Sequence, residues 1–172
     1  MNIFACDATP NKAAQALDDK RVVKMVLESA QILSSGIFLN SGIIYPQLYR
    51  PAFLGHPCVI WASQTYANWQ WLYQHFQALC DEYSYRYAKQ HKTLQLAPAL
   101  QELSSIIPNA PITNFANCTR AEKLGINYKH VNDTHEAYRL YLNAKWACDT
   151  RKPVWTMRGA PTWYCAPKNS MT

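Results

Sequence analysis

The stretch PCVIWASQTYANWQWLYQHFQALCDEYSYRYAKQ, residues 57–90, decides the fold. Val59, Ala62, Tyr66, Trp69, Tyr73, Phe76, Cys80 and Tyr83 recur at the three- and four-residue intervals of one α-helical face. Gly55 and His56 precede Pro57, and proline suits the first position of a helix. At about 1.5 Å per residue such a helix is roughly 50 Å long. A globule built from a chain of this size is only about 40 Å across. The pattern therefore predicts one long central helix, with a bend or a projecting end near Asp81 to Tyr87.

Further helices lie on both sides. Thr9-Pro10 opens a short helix to about Leu17. Asp18 and Asp19 then begin a second, near 19–35, because acidic residues suit the positive end of the helix dipole. Val22, Val23, Val26, Ala30 and Leu33 form its apolar face, and Gly36 is its expected stop. Gly36, Gly42, Pro46, Pro51 and Gly55 mark residues 36–56 as loop. Downstream, Pro98 starts a helix to about Ile107, and residues 108–119 read as an extended loop. Thr119 to Glu122 has capping-box spacing before a short helix that Gly125 ends. A last helix covers about 134–148. The expected fold is all-α, one compact domain of five to six helices in 1–172, with an irregular, aromatic-rich tail from about 150.

Bulk properties narrow the function. The chain has 172 residues, 49% hydrophobic and 16% charged, which is a folding rather than a disordered composition. No run of eighteen apolar residues is present, so a membrane partner is not expected. The six cysteines are scattered, without the spacing of a zinc motif or a secreted disulfide framework. No metal or cofactor is expected from local motifs, and the compartment expected is the cytoplasm of a bacterium or a phage-infected host cell. A net charge of +6 favours a polyanionic partner. Six tryptophans and eleven tyrosines serve either a helical core or the stacking of bases.

The second helix carries the most chemistry. Lys20, Lys24 and Glu28 lie four apart, and Arg21 is seven before Glu28. A carboxylate among cations is either a solvated face of ion pairs or a site that holds phosphate and stabilises an oxocarbenium-like sugar. His56, at a helix start, either caps or contacts phosphate. Arg86, Lys89 and Lys92 follow Tyr83, Tyr85 and Tyr87 at the end of the long pattern and read equally as helix-end cations or a strand-binding surface. Trp155, Trp163 and Tyr164 are either buried anchors or lining for a base site.

Asp19 to Glu28 (DKRVVKMVLE), His56-Pro57 opening a long helix, and Pro161 to Tyr164 (PTWY) together resemble the pyrimidine dimer DNA glycosylases of the endonuclease V type, known from phages and bacteria. That resemblance maps the family's basic position onto Arg21 and its glutamate onto Glu28. It implies an α-amine that attacks C1′ of a damaged nucleotide, departure of the base, an imine, and strand cleavage by β-elimination. It implies Glu28, Met1 and Lys24 as catalytic candidates. It assigns DNA contacts to Lys20, Arg21, His56, Arg86, Lys89, Trp163 and Tyr164. Duplex DNA is the expected partner of a monomeric enzyme. Residue 2 departs from the family's small residue, being asparagine. The nucleophile is therefore the amine of Met1, Lys20 or Lys24, or else a water activated by Glu28. A non-catalytic nucleic-acid-binding module and an enzyme for a free modified nucleotide are the rival readings.

Overall fold

The computed structural model describes residues 1–166. It is all-α: six α-helices carry the structure. They are α1 (Pro10–Ala16), α2 (Asp19–Ser41), α3 (Pro57–Gln64), α4 (Tyr66–Tyr87), α5 (Ala97–Leu103) and α6 (Thr134–Cys148). A minimal antiparallel hairpin, β1 (Arg120–Ala121) and β2 (Ile126–Asn127), pairs Arg120 with Asn127 and Ala121 with Ile126. From Asp149 onward the described tail has no helix or strand, and the last six residues of the expected tail lie outside the described residues.

The long pattern of 57–90 is two helices, and the break falls at Thr65 rather than near Asp81. Thr65 is extended, with φ −140° and ψ 150°, and its hydroxyl accepts from Asn68 N at 3.0 Å as the N-cap of α4. Asn68 secures the corner by donating to the Trp61 carbonyl at 2.9 Å. Apolar spacing continues across the corner, so periodicity alone did not reveal it. Ala88, with φ 51°, closes α4 by donating to the Ser84 carbonyl.

Helix α2 runs past the expected stop at Gly36 to Ser41, where Gly42 at φ +68° ends it. Gly36 serves packing instead. A Cβ there would sit 3.6 Å from both the Ser63 amide and the Trp69 indole. Trp69 Nε1 donates to the Leu33 carbonyl on the same turn of α2. The apolar face of α2 packs on α3 and α4, and α1 lies against α4. Val22, Met25, Val26, Ile32, Leu33, Trp69, Leu72, Phe76 and Leu79 fill the centre. Although α2 has the length and apolar composition of a membrane span, most of that surface is spent on this core.

Two smaller expectations are corrected. Thr119 caps no helix: its hydroxyl donates to Asn117 Oδ1, and residues 122–124 form a 3-10 turn inside the hairpin. The helix near Pro98 is three pieces, with 3-10 turns at Lys92–Leu96 and Ser104–Ile106 flanking α5. Asp133 caps α6 by accepting from His135 N and Glu136 N.

Candidate active site

The N-terminal segment does not fray. Asn2, Ile3, Phe4, Ala5 and Cys6 are all buried. Asn2 Oδ1 accepts from Ile3 N and Phe4 N, and Asn2 Nδ2 donates to the Cys118 carbonyl at 3.1 Å. Helix α6 clamps the following residues. Arg139 Nε donates to the Cys6 carbonyl at 2.9 Å, and the His135 ring lies 2.7 Å from the Ala5 carbonyl. Phe4, at φ 42°, is held in a left-handed turn by Tyr138 and Tyr141, with ring centroids 6.3 and 6.2 Å away.

This anchoring delivers the Met1 α-amine to Glu28. The amine lies 3.8 Å from Glu28 Oε2, and the same oxygen accepts from Asn2 N at 3.2 Å. Glu28 Oε1 pairs with Lys24 Nζ at 3.1 Å. The Glu28 side chain is only 12% exposed, whereas that of Lys24 is 65% exposed. The carboxylate thus stands between an enclosed amine and a solvent-facing ammonium.

Met1 and Asn2 face a cleft of about 450 Å³, whose other walls are His56, Pro57, Cys118, Tyr141 and the hairpin residues Arg120, Glu122 and Lys129. Glu28 lies behind Met1 and Asn2 rather than on the cleft wall. Larger hollows exist elsewhere, one of about 550 Å³ beside Arg139 and Arg158, but they hold neither the amine nor the carboxylate. His56 is the N-cap of α3, with Nδ1 accepting from Cys58 N at 3.1 Å. Burial lowers its pKa, the cationic amine of Met1 lowers it further, and Glu28 opposes both. Beneath lies a thiol pair. Cys58 Sγ is 3.5 Å from Cys118 Sγ, and that hydrogen bond raises the Cys58 pKa while drawing Cys118 down.

The other candidates divide sharply. Arg21 is buried and pairs with Asp18 at 2.9 Å and Asp149 at 3.0 Å. Arg86 is buried and pairs with Asp19 at 3.0 Å and Glu82 at 3.4 Å. Each guanidinium is held between a local acid, Asp18 or Glu82, and one from another element, Asp149 or Asp19. Trp163 stacks on Trp146 with centroids 5.6 Å apart, and Tyr164 meets Trp146 edge-on at 5.5 Å, so this pair anchors the tail to α6. Lys20 and Lys89 are exposed, and Lys20 pairs with Asp149 at 3.3 Å. None of these residues lines the Met1 cleft.

Several cleft residues were missed from the sequence. Arg120 and Lys129 bring cations to its rim from a hairpin too short to show periodicity. Lys145 of α6, with Nζ 5.6 Å from the Tyr141 ring centroid, is a further cation beside the cleft; burial and then Arg21 lower its pKa, Asp149 opposes them, and Lys24 and Lys20 add to the lowering. Asn2 and Cys118 carried no signal, since their pairing spans 116 residues.

A family model described as pyrimidine dimer DNA glycosylase matches residues 1–96, more than half of the chain. The matched segment contains Met1, Lys24, Glu28 and His56; Cys118, the hairpin and α6 lie beyond it. No curated protein and no solved structure matches.

Proposed function

The chain belongs to the pyrimidine dimer DNA glycosylase family, and we propose that it excises a damaged base from duplex DNA with the α-amine of Met1 as nucleophile. The 3.8 Å approach of that amine to Glu28, enclosed at the side of a cleft, carries the reading. An α-amine is the least basic amine a chain offers, about 8 against about 10.4 for lysine, so more of it is free base near neutrality. Lys24 is the weaker candidate because its ammonium sits on the solvent side of Glu28.

The uncharged amine donates its lone pair to C1′ of a nucleotide flipped into the cleft. The glycosidic bond breaks and its electron pair leaves with the base. The negative charge of Glu28 stabilises the cationic sugar; Glu28 then accepts the proton released at nitrogen and passes it to O4′ as the C1′–O4′ bond breaks, which opens the ring to the iminium and leaves the carboxylate charged beside it. Removal of a C2′ proton from the iminium then expels the 3′ phosphate by β-elimination, which is the lyase half of the reading. Asn2, the departure from the family pattern, does not block this geometry. Its side chain turns inward, and its backbone amide helps hold Glu28. In this reading Arg120 and Lys129 on the cleft rim, with Lys24 and Lys145 nearby, meet the phosphates.

Borohydride trapping tests the proposal. Protein incubated with UV-irradiated or abasic duplex and reductant should yield a covalent adduct, and peptide mapping should place it on Met1. Adduct on Lys24 would reassign the nucleophile. Base release without any adduct would mean that Glu28 activates water. Salt-sensitive binding with neither product nor adduct would leave a binding module.

A further inference from the structure

The thiols beneath the cleft have no part in amine chemistry. His56, Cys58 and Cys118 place one donor atom each within 4.8 Å of the other two. They come from the N-terminus of α3 and from the extended loop that follows α5, sixty residues apart in the case of the cysteines. We propose that these three side chains form a binding site for a thiophilic divalent cation, Zn²⁺, with the fourth coordination position open to the cleft.

Geometry supports a metal over a disulfide. The Sγ–Sγ separation is 3.5 Å, far beyond the roughly 2.05 Å of a disulfide. Two thiolates at about 2.3 Å from a tetrahedral zinc stand about 3.8 Å apart. The sulfurs therefore already have nearly the spacing that zinc imposes. Their positions are also held. Cys58 is fully buried at the first turn of α3. Cys118 is fixed through its backbone, its amide donating to the Tyr138 hydroxyl at 3.2 Å and its carbonyl accepting from Asn2. Tyr138 in turn donates to the Ala116 carbonyl. His56 is the adjustable member: Nδ1 accepts from the Cys58 amide, so coordination runs through Nε2 or requires Nδ1 to release that amide.

Two cysteines, one histidine and a vacant position are a donor set of catalytic rather than closed structural zinc. Here both His56 and Cys118 line the cleft that holds Met1, so solvent or a substrate atom completes the shell from that side. Sequence spacing did not show the site because its ligands meet only after folding.

The test uses the full chain, reduced and freed of metal. Zn²⁺ is titrated against a chromophoric chelator, and Co²⁺ is added as an optical probe. One equivalent should bind, and cobalt should show thiolate charge-transfer absorption with the intense visible bands of a tetrahedral ion. Cys118→Ser, at a partly exposed position, should weaken zinc binding by more than the roughly 10–100-fold that outer partners contribute. Cys58→Ser and His56→Ala should weaken it too, with circular dichroism confirming the fold. The proposal is overturned by absent stoichiometric binding, by a cobalt spectrum without thiolate bands, or by unchanged affinity in Cys118→Ser. A mass lower by two hydrogens with both thiols unreactive would show a disulfide pair and would overturn it equally. Metal binding is read on the protein alone, so its failure leaves the Met1 adduct experiment unaffected.

Discussion

Helix α2 carries two charge clusters, and they are built on opposite plans. At its N-terminus, Arg21 meets Asp18 and Asp149, and beside it Arg86 meets Asp19 and Glu82, with Arg158 also on Glu82, in a knot of paired charges. Neutral donors complete it: Trp146 Nε1 donates to Asp18, and the Thr156 hydroxyl and amide donate to Asp19. Burial pushes the Asp149 carboxyl up, but the Arg21 guanidinium and its hydrogen bond, with help from Lys20, outweigh that and hold it low. Two turns on, Glu28 is a single acid facing the Met1 amine and Lys24, with Lys129 on the rim of the adjoining cleft. With Lys20 on Asp149 the first cluster balances, four acids to four cations, and it joins α2 to α4, α6 and the tail, although Asp18, Asp19, Lys20 and Asp149 border a hollow of about 730 Å³ of their own. The second is unbalanced, one acid to two cations, and includes the amine that we propose as nucleophile. Charge balance, rather than the presence of charge, distinguishes the first cluster from the one where we place the reaction.

The sharpest way to break this comparison is Glu28→Gln. Excision measured in single turnover should fall by about 10²–10⁴-fold, the usual worth of a positioned acid–base group, while DNA binding persists. Normal excision would make the second cluster as inert as the first. Next comes Arg86→Ala, which removes the buried cation shared by Glu82 and Asp19 and leaves them only Arg158 and Thr156. Denaturant unfolding should show a loss of about 3–5 kcal/mol, the cost of removing one partner from a buried ion pair. If stability is unchanged and DNA affinity drops instead, Arg86 belongs to the binding surface.

A third prediction sharpens the contrast by taking acid titration away from both clusters. His75 is fully buried against Trp71, and burial lowers its pKa to about 4, only partly offset by its bond to the Pro10 carbonyl. The folded chain therefore binds fewer protons than the unfolded chain between about pH 6.5 and pH 4. Stability is fully present above about 6.5 and is lost as pH falls through that window, by roughly 3 kcal/mol in all. Unfolding measured across the window should be flatter in His75→Phe than in the parent. An equal slope would place the acid sensitivity elsewhere. The smallest effect belongs to Lys24→Gln. Affinity should fall similarly for all DNA sequences, and the slope of log K against log salt should shrink by about one. An unchanged salt slope would remove Lys24 from the phosphate surface.

The readable part of this molecule was its local part. Helical periodicity, Pro10, Asp133 and the acidic start at Asp19 placed α1, α2 and α6 because each signal acts within a turn or two. Thr65 and Gly36 were misread for one shared reason. The extended corner depends on Asn68 reaching back to Trp61, and the role of Gly36 depends on Trp69 pressing against it. Neither neighbour is visible to a window of local sequence. Glu28 was legible as a carboxylate among cations, yet its spacing to Lys24 alone did not reveal the amine 27 positions away. Arg21 and Arg86 looked like surface cations because one partner of each, Asp149 and Asp19, arrives from another element. The Cys58–Cys118 contact lay beyond any motif for the same reason.

Burial of residues 2–6 ties reactivity to the folded state. Chain ends ordinarily fray, and a dangling amine would condense with any aldehyde it met. Here the first residue reaches its carboxylate only once the segment behind it has been swallowed by the core. Any peptide fused ahead of Met1 has to thread out through the cleft, so purification handles on this protein belong at the other end.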